Sequence, residues 1–185
     1  MFFMNLKLIT DVHDLKGVSV IVRASLNVPL ENGKVRNTFR LHRAIPTLKY
    51  LRDKGAKIIV IGHIGREVDE TLLPVYEELK NIIQMSWGGS IADPAFTEIK
   101  NSMKDGDIVI CENLRQDERE KNNAIELVET IAQYGDLYVN DAFAVVHRDH
   151  ASTLGLAKRL PAYAGITLAE EVSKLFSMMT PSSPS

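Results

Sequence analysis

The sequence has one cysteine, Cys111, in 185 residues. No internal disulfide can form, and a reducing compartment is the expectation. An excess of either charge is also missing. There are 22 Lys+Arg against 24 Asp+Glu, a net charge of −2. That balance gives no support for bulk nucleic-acid binding, which needs a strongly basic surface. No run of about 18 apolar residues occurs, so no membrane span is expected. The opening MFFMNLKLIT is apolar but short. Asn5 and Lys7 interrupt it, no small-residue cleavage site follows, and it does not read as a signal peptide. The cytoplasm is the expected location. Low-complexity tracts and repeats of fixed period are absent. With 45% hydrophobic and 25% charged residues, the composition is that of a folded globular domain rather than a disordered chain.

Short β-branched runs alternate with stretches of helical period. Val18 to Val22, Lys57 to Ile61, Asp107 to Cys111 and Leu137 to Val139 read as buried strands. Gln84 to Trp87 and Ala162 to Ile166 add two weaker ones. Between them, Leu41, Ala44, Ile45, Leu48 and Leu51 mark a helix that Gly55 ends. Further helices are expected from Leu72 to about Ile83, after Asp93-Pro94, from Asn123 to Tyr134 (buried through Ile125, Val128, Ile131 and Ala132), from Ser152 to Arg159, and from Leu168 to Met179. Apolar strands alternating with helices predict an α/β fold: a doubly wound, mostly parallel six-stranded sheet with helices on both faces. Residues 1–179 are expected to form this domain, and 180–185, rich in Pro and Ser, a tail or the start of a hinge.

In such sheets ligands bind beyond the carboxyl ends of the strands. Four post-strand segments there are cationic: Arg23 to Pro29, Gly62 to Arg66, Glu112 to Arg115, and Asn140 to His150. Each contains an Arg, and two also contain His. Arg40 precedes the first long helix, near a helix N-terminus where backbone N–H groups favour anions. A planar guanidinium fork pairs bidentately with phosphate or carboxylate. The pattern predicts a site for a small polyanion, with Gly62 and Gly65 letting backbone approach it. No place for a nucleotide is visible: there is no G-x-x-x-x-G-K-S/T loop and no G-x-G-x-x-G loop. Zinc-type Cys/His spacing and a G-x-S-x-G nucleophile elbow are absent as well. Cys111 reads as an inert strand thiol, His13 and His42 as surface residues. Asn140 and Asp141 read as structural groups, Glu112 equally as a site residue or an internal partner of an Arg, and Phe176, Met178 and Met179 as a core-facing stripe that becomes an exposed apolar patch if nothing covers it.

Three long blocks, VRASLNVPLENGKVRNTFRLHRAIPTLKYLRDKGAKIIVIGHIGR, ICENLR and YVNDAFAVVHRDHAST, resemble the phosphoglycerate kinase family in sequence and in order. The similarity runs from about Leu6 to Leu175. The resemblance implies phosphoryl transfer between 1,3-bisphosphoglycerate and ADP to give 3-phosphoglycerate and ATP. It implies a cytoplasmic, glycolytic, monomeric enzyme using Mg-ATP or Mg-ADP. Its two Rossmann-like domains would face a cleft, with the nucleotide on a C-terminal domain that this chain lacks. Carried over by position, substrate contacts fall on Arg23, Ser25, Leu26, Asn27, Arg40, His63, Ile64, Gly65, Arg66, Arg115, His147, Arg148 and His150. Arg40 would be the catalytic residue, neutralising the transferring phosphoryl group. No cofactor-binding or metal-binding residue is implied within the chain. Four departures stand out: Ser25 replaces the usual Asp, Glu67 a Pro, Gln116 a Phe, and Ala144-Val145-Val146 the usual Gly-Thr-Ala.

Two further readings stand beside the kinase. One is a stand-alone module that holds a phosphorylated acid and transfers nothing. The other is a nucleotide-binding regulatory domain of the same fold class.

Overall fold

Six strands, four of them rich in aliphatic residues, pair into one sheet. The computed structural model describes residues 6–179, so the expected tail at 180–185 lies outside the described residues. In chain order the elements are β1 (Ser19–Ala24), β2 (Leu30–Glu31), β3 (Lys34–Val35), α1 (Phe39–Asp53), β4 (Lys57–Ile61), α2 (Leu73–Leu79), β5 (Ser86–Trp87), α3 (Phe96–Ser102), β6 (Ile108–Ile110), α4 (Glu118–Lys121), α5 (Ile125–Ala132), β7 (Leu137–Asp141), α6 (Leu156–Arg159), β8 (Ala162–Ala164) and α7 (Ile166–Met179). The sheet order is β5-β6-β4-β1-β7-β8, and every pairing in it is parallel. The six strands expected from the sequence are these six.

Strand side chains alternate between faces, and the core divides accordingly. Val20, Val22, Ile58 and Val60 pack on one face with Leu41, Leu48 and Leu51 of α1 and Val75 and Leu79 of α2. Ile21, Ile59, Ile61 and Cys111 pack on the other with Phe96 of α3, Leu127, Val128 and Ile131 of α5, and Leu156 of α6. Both faces are covered, as continuous apolar strands require. From β1 the chain steps to β4, goes out to the edge at β5, returns as β6 between β5 and β4, then crosses back to form β7 and β8 on the other side of β1. The reversal falls beside β1, so the carboxyl ends of β4, β1 and β7 flank the crevice where such sheets take ligands.

Gly55 ends α1 as expected. Its φ is +78°, its N–H bonds Arg52 O at 2.9 Å, and Ala56 N–H bonds Leu51 O at 3.0 Å. These two bonds close a Schellman cap.

Elsewhere the structure corrects the sequence reading. The β2–β3 hairpin is additional to it. Asn32 and Gly33 both have positive φ, 50° and 72°, as a two-residue I′ turn requires. The turn after Asp93-Pro94 holds back α3 until Phe96, because Asp93 Oδ1 accepts Ala95 N–H at 2.8 Å in an Asx turn. Ile125 is 60% exposed rather than buried: it opens α5, one turn outside the face carried by Leu127, Val128 and Ile131. The helix expected from Ser152 begins instead as a wide π turn at Ala151–Gly155. A Cβ on Gly155 would lie 2.4 Å from Val128 Cγ2, so only glycine lets this turn pack against α5.

Candidate functional site

The strand ends deliver the cationic segments to one region at two depths. Arg40 and Arg66 are exposed and Arg148 is half-buried. Arg115, His63 and Arg23 are buried. Asn27 ties the β1 segment to its neighbours. Its carbonyl accepts Arg40 Nη1 at 3.1 Å, and its Oδ1 accepts Gly65 N–H at 3.0 Å. Arg115 in turn donates through Nη1 to the Gly65 carbonyl. One asparagine and one glycine thus connect α1, the β4 segment and the β6 segment. Arg40 and Phe39 line two adjacent depressions. The first, about 510 Å³, includes Asn27, Ile64, Gly65 and Glu70. The second, about 580 Å³, includes Ser25, Asp141, Phe143 and Ala144.

Electrostatically the deeper groups form one cluster. Burial holds the Arg115 guanidinium below its ordinary pKa, and Arg148 and Arg66 lower it further, with Glu120 and Glu70 opposing. His150 is lowered by burial and by Arg148, Arg115 and Arg23, with Glu120 opposing. His63 is pushed down to about 2, chiefly by burial and then by Arg23, Arg115, Arg148 and His150. Among the described residues, Arg115 Nε is buried without a partner. An anion that approaches this cluster relieves cation–cation repulsion that the protein leaves partly uncompensated.

Several expected contacts take another form. Arg23 is not part of a rim: it is 1% exposed and lies beneath the cluster. Leu26 and Ile64 are buried in the apolar core, so only their backbone faces the site. Neither glycine leaves an open approach for a ligand. A Cβ on Gly62 would lie 2.7 Å from Leu26 Cδ1, and the space beside Gly65 (φ +62°) is filled by the Glu70 carboxylate. His147 is exposed and makes no side-chain hydrogen bond to the described residues. Glu112 pairs with no Arg; it accepts from Thr71 Oγ1 at 2.6 Å and from Leu72 and Asn113 N–H at 2.8 and 2.6 Å. Asn140 Oδ1 accepts Ala142 N–H at 3.0 Å, and Asp141 Oδ1 accepts Leu168 N–H at 3.0 Å, both structural bonds.

Three contributors are absent from the sequence reading. Glu70 Oε2 accepts the N–H groups of Arg66 and Glu67 at 2.5 and 2.9 Å and so shapes the loop that carries Arg66. Asn113 Oδ1 accepts Ile64 and Arg115 N–H, while its Nδ2 donates to the carbonyls of Ile64 and Glu70. Glu120, 1% exposed, is the buried counter-charge. Its sequence context, DEREK, reads as a solvated charge run, and no local signal distinguishes it.

Among the described residues no group of three or more His, Cys, Asp or Glu is placed to hold a metal ion. The described side chains therefore do not fit a resident metal. No helix of the described residues is long and apolar enough to cross a membrane.

The chain matches the family model described as phosphoglycerate kinase over residues 9–185. It is 43% identical over 169 residues to the phosphoglycerate kinase of Bradyrhizobium diazoefficiens, covering 88% of this chain and 42% of the relative. With the phosphoglycerate kinase of Dictyoglomus turgidum the identity is 42% over 166 residues, covering 86% and 42%. Among solved structures, phosphoglycerate kinase from Coxiella burnetii superposes with a TM-score of 0.84 at 30% identity, covering 97% of this chain and 46% of that one. The Pyrococcus horikoshii enzyme gives 0.88 at 26%, covering 97% and 47%. The chain thus spans less than half the length of the relatives it matches, and over that span it belongs to the phosphoglycerate kinase family.

Proposed function

We propose that this chain supplies the 3-phosphoglycerate (or 1,3-bisphosphoglycerate) half of a phosphoglycerate kinase. The complete reaction would move a phosphoryl group between 1,3-bisphosphoglycerate with Mg-ADP and 3-phosphoglycerate with Mg-ATP. The nucleotide would come from a second domain whose residues are not in this sequence. Residues 1–179 would form the acid-binding domain, in a soluble glycolytic enzyme of the cytoplasm.

The observation that carries this reading is the cluster of Arg115, Arg148, His63 and His150 at the carboxyl ends of the parallel strands. Burial and the neighbouring cations hold His63, Arg115 and His150 below their ordinary values, with the buried Glu120 opposing at Arg115 and His150. Such a cluster suits a dianionic phosphate. Arg40, exposed at the start of α1 and anchored to Asn27, suits the position where charge develops on a transferring phosphoryl group. There it would neutralise equatorial oxygens without covalent chemistry. Ser25, half-buried in the second depression, takes the place where the family has an Asp. Its hydroxyl still offers a hydrogen bond to the substrate hydroxyl, but a neutral one.

Titration calorimetry with 3-phosphoglycerate tests the assignment. Binding is expected at millimolar affinity or better and is expected to weaken with added salt. Arg40→Ala and Arg148→Ala should each weaken it roughly tenfold, the effect of one lost charge-assisted hydrogen bond. Absence of binding, or binding that both substitutions leave intact, rejects it.

A further inference from the structure

His63 is held from one side only. Its Nδ1 lies 2.5 Å from Nη2 of Arg23, at a site where Arg23 is fully enclosed. A guanidinium has donors and no acceptor. Nδ1 must therefore present its lone pair to Arg23, and in a neutral ring the proton then sits on Nε2. The other donors of Arg23 are also committed: Nη1 to the Ala24 carbonyl at 2.6 Å and Nε to Ser152 Oγ at 3.0 Å. Ser152 passes the constraint on. Its Oγ donates to Glu120 Oε1 at 2.6 Å, its N–H donates to Glu120 Oε2 at 2.9 Å, and its carbonyl accepts the Tyr138 hydroxyl at 2.8 Å. Every bond along Arg23–Ser152–Glu120 has one possible direction, so the network has one register and the imidazole inherits it.

We propose that Arg23 is a positioning residue that, anchored by Ser152 and Glu120, locks His63 as a neutral imidazole with its proton on Nε2, offering a bound phosphorylated acid one directed N–H.

The charged groups facing His63 are Arg23 from β1, Arg115 after β6, and Arg148 and His150 after β7, with Glu120 of α4 behind Arg23. All but Glu120 oppose an imidazolium. Burial opposes it as well and holds the ring near a pKa of about 2. His63 thus differs from the arginines around it: it contributes direction, and they contribute charge. His63 Nε2 makes no hydrogen bond to the described residues and is not a buried orphan, so it is free to donate. The inference rests on the reading of the cluster as a phosphorylated-acid site.

Long-range proton–nitrogen correlation spectra of the imidazoles in the unsubstituted full chain, recorded from pH 5 to 8, test the lock. The His63 resonance, assigned by its loss in His63→Gln, is expected to show unprotonated Nδ1 and protonated Nε2 at every pH. A ring that titrates in this range, or carries its proton on Nδ1, overturns the proposal. Ser152→Ala, which removes one anchor and little volume, should introduce tautomer exchange; an unchanged spectrum overturns the relay. A second arm measures 3-phosphoglycerate binding. Gln places an N–H near Nε2, whereas Asn places one near Nδ1. His63→Gln should stay within about threefold of the wild type and His63→Asn should lose roughly tenfold. Equal losses overturn the directed donor. A locked tautomer with no acid binding at all rejects the functional reading and leaves the lock standing.

Discussion

At the scale of single residues, the region's chemistry follows from which charges are buried and what each one faces. A buried neutral His63 has a stability consequence separate from binding. Its folded pKa lies far below the 6.5 of an exposed histidine. The unfolded chain therefore binds a proton below pH 6.5 that the folded chain refuses. The contribution is fully present above pH 6.5 and is lost as pH falls toward 2, at about 1.4 kcal/mol per pH unit. His63→Gln removes that titration. In urea unfolding, the wild type should lose about 2 kcal/mol more than the variant between pH 7 and pH 5, and parallel profiles would show that His63 is not held neutral. Most arginines of this site are legible in the sequence as a set, because Arg66, Arg115 and Arg148 each follow a strand. Their depths are not. Arg23 lies in a strand whose six residues are all buried, and its partner Glu120 sits in a run of charges that looks solvated. Only the fold pairs residues separated by 97 positions through Ser152.

At the scale of elements, the joint between β7 and α7 encloses a carboxylate whose ionisation burial opposes. Asp141 caps the first turn of α7 through Leu168 N–H, while Ile166 N–H is taken by Thr47 Oγ1 at 3.0 Å and Thr167 Oγ1 donates to the Arg43 carbonyl at 2.5 Å. The joint is tight: a Cβ on Gly165 would lie 2.3 Å from Asp141 Oδ1. Asp141 Oδ2 is buried without a partner. Burial pushes its carboxyl up to about 6, against the opposing pull of bonds from Thr47, Leu168 and Thr167. Here the sign is the reverse of His63. Stability is fully present below the unfolded value near 4 and is lost as pH rises through 6, on the order of 2–3 kcal/mol. Asp141→Asn keeps the capping oxygen and removes the titration. It should gain roughly 2 kcal/mol over the wild type between pH 4.5 and 7.5 in urea unfolding; a constant difference would place the strain elsewhere. The sheet that holds this joint was readable, since its strands are apolar on both faces and its long helices keep period. The β2–β3 hairpin carried a local signal in Asn32-Gly33. The delayed start of α3 and the π turn at Ala151 carried none as strong, because an Asx bond and a glycine packed on Val128 decide them.

At the scale of the whole molecule, the surface proposed to bind the acid would have to be completed before it could catalyse. Phosphoryl transfer asks for the acid and the nucleotide to be held in line. Most of the catalytic advantage then comes from positioning and from fixed charge at the transferring group. Under the proposed function, Arg40 and the cluster around Arg115 and Arg148 would offer the fixed charge for one partner. The described residues offer no phosphate loop and no carboxylate cluster for the other, and the relatives that share this fold are more than twice as long. In a coupled assay with 3-phosphoglycerate and Mg-ATP, the chain alone should therefore give no turnover above the blank while still binding the acid. Adding a separately prepared nucleotide-binding half should bring turnover that Arg40→Ala abolishes. Turnover by the chain alone would mean that an unrecognised nucleotide site lies within these 185 residues. Acid binding with no turnover under either condition would favour a binding module that has kept the charge cluster of a kinase without its chemistry.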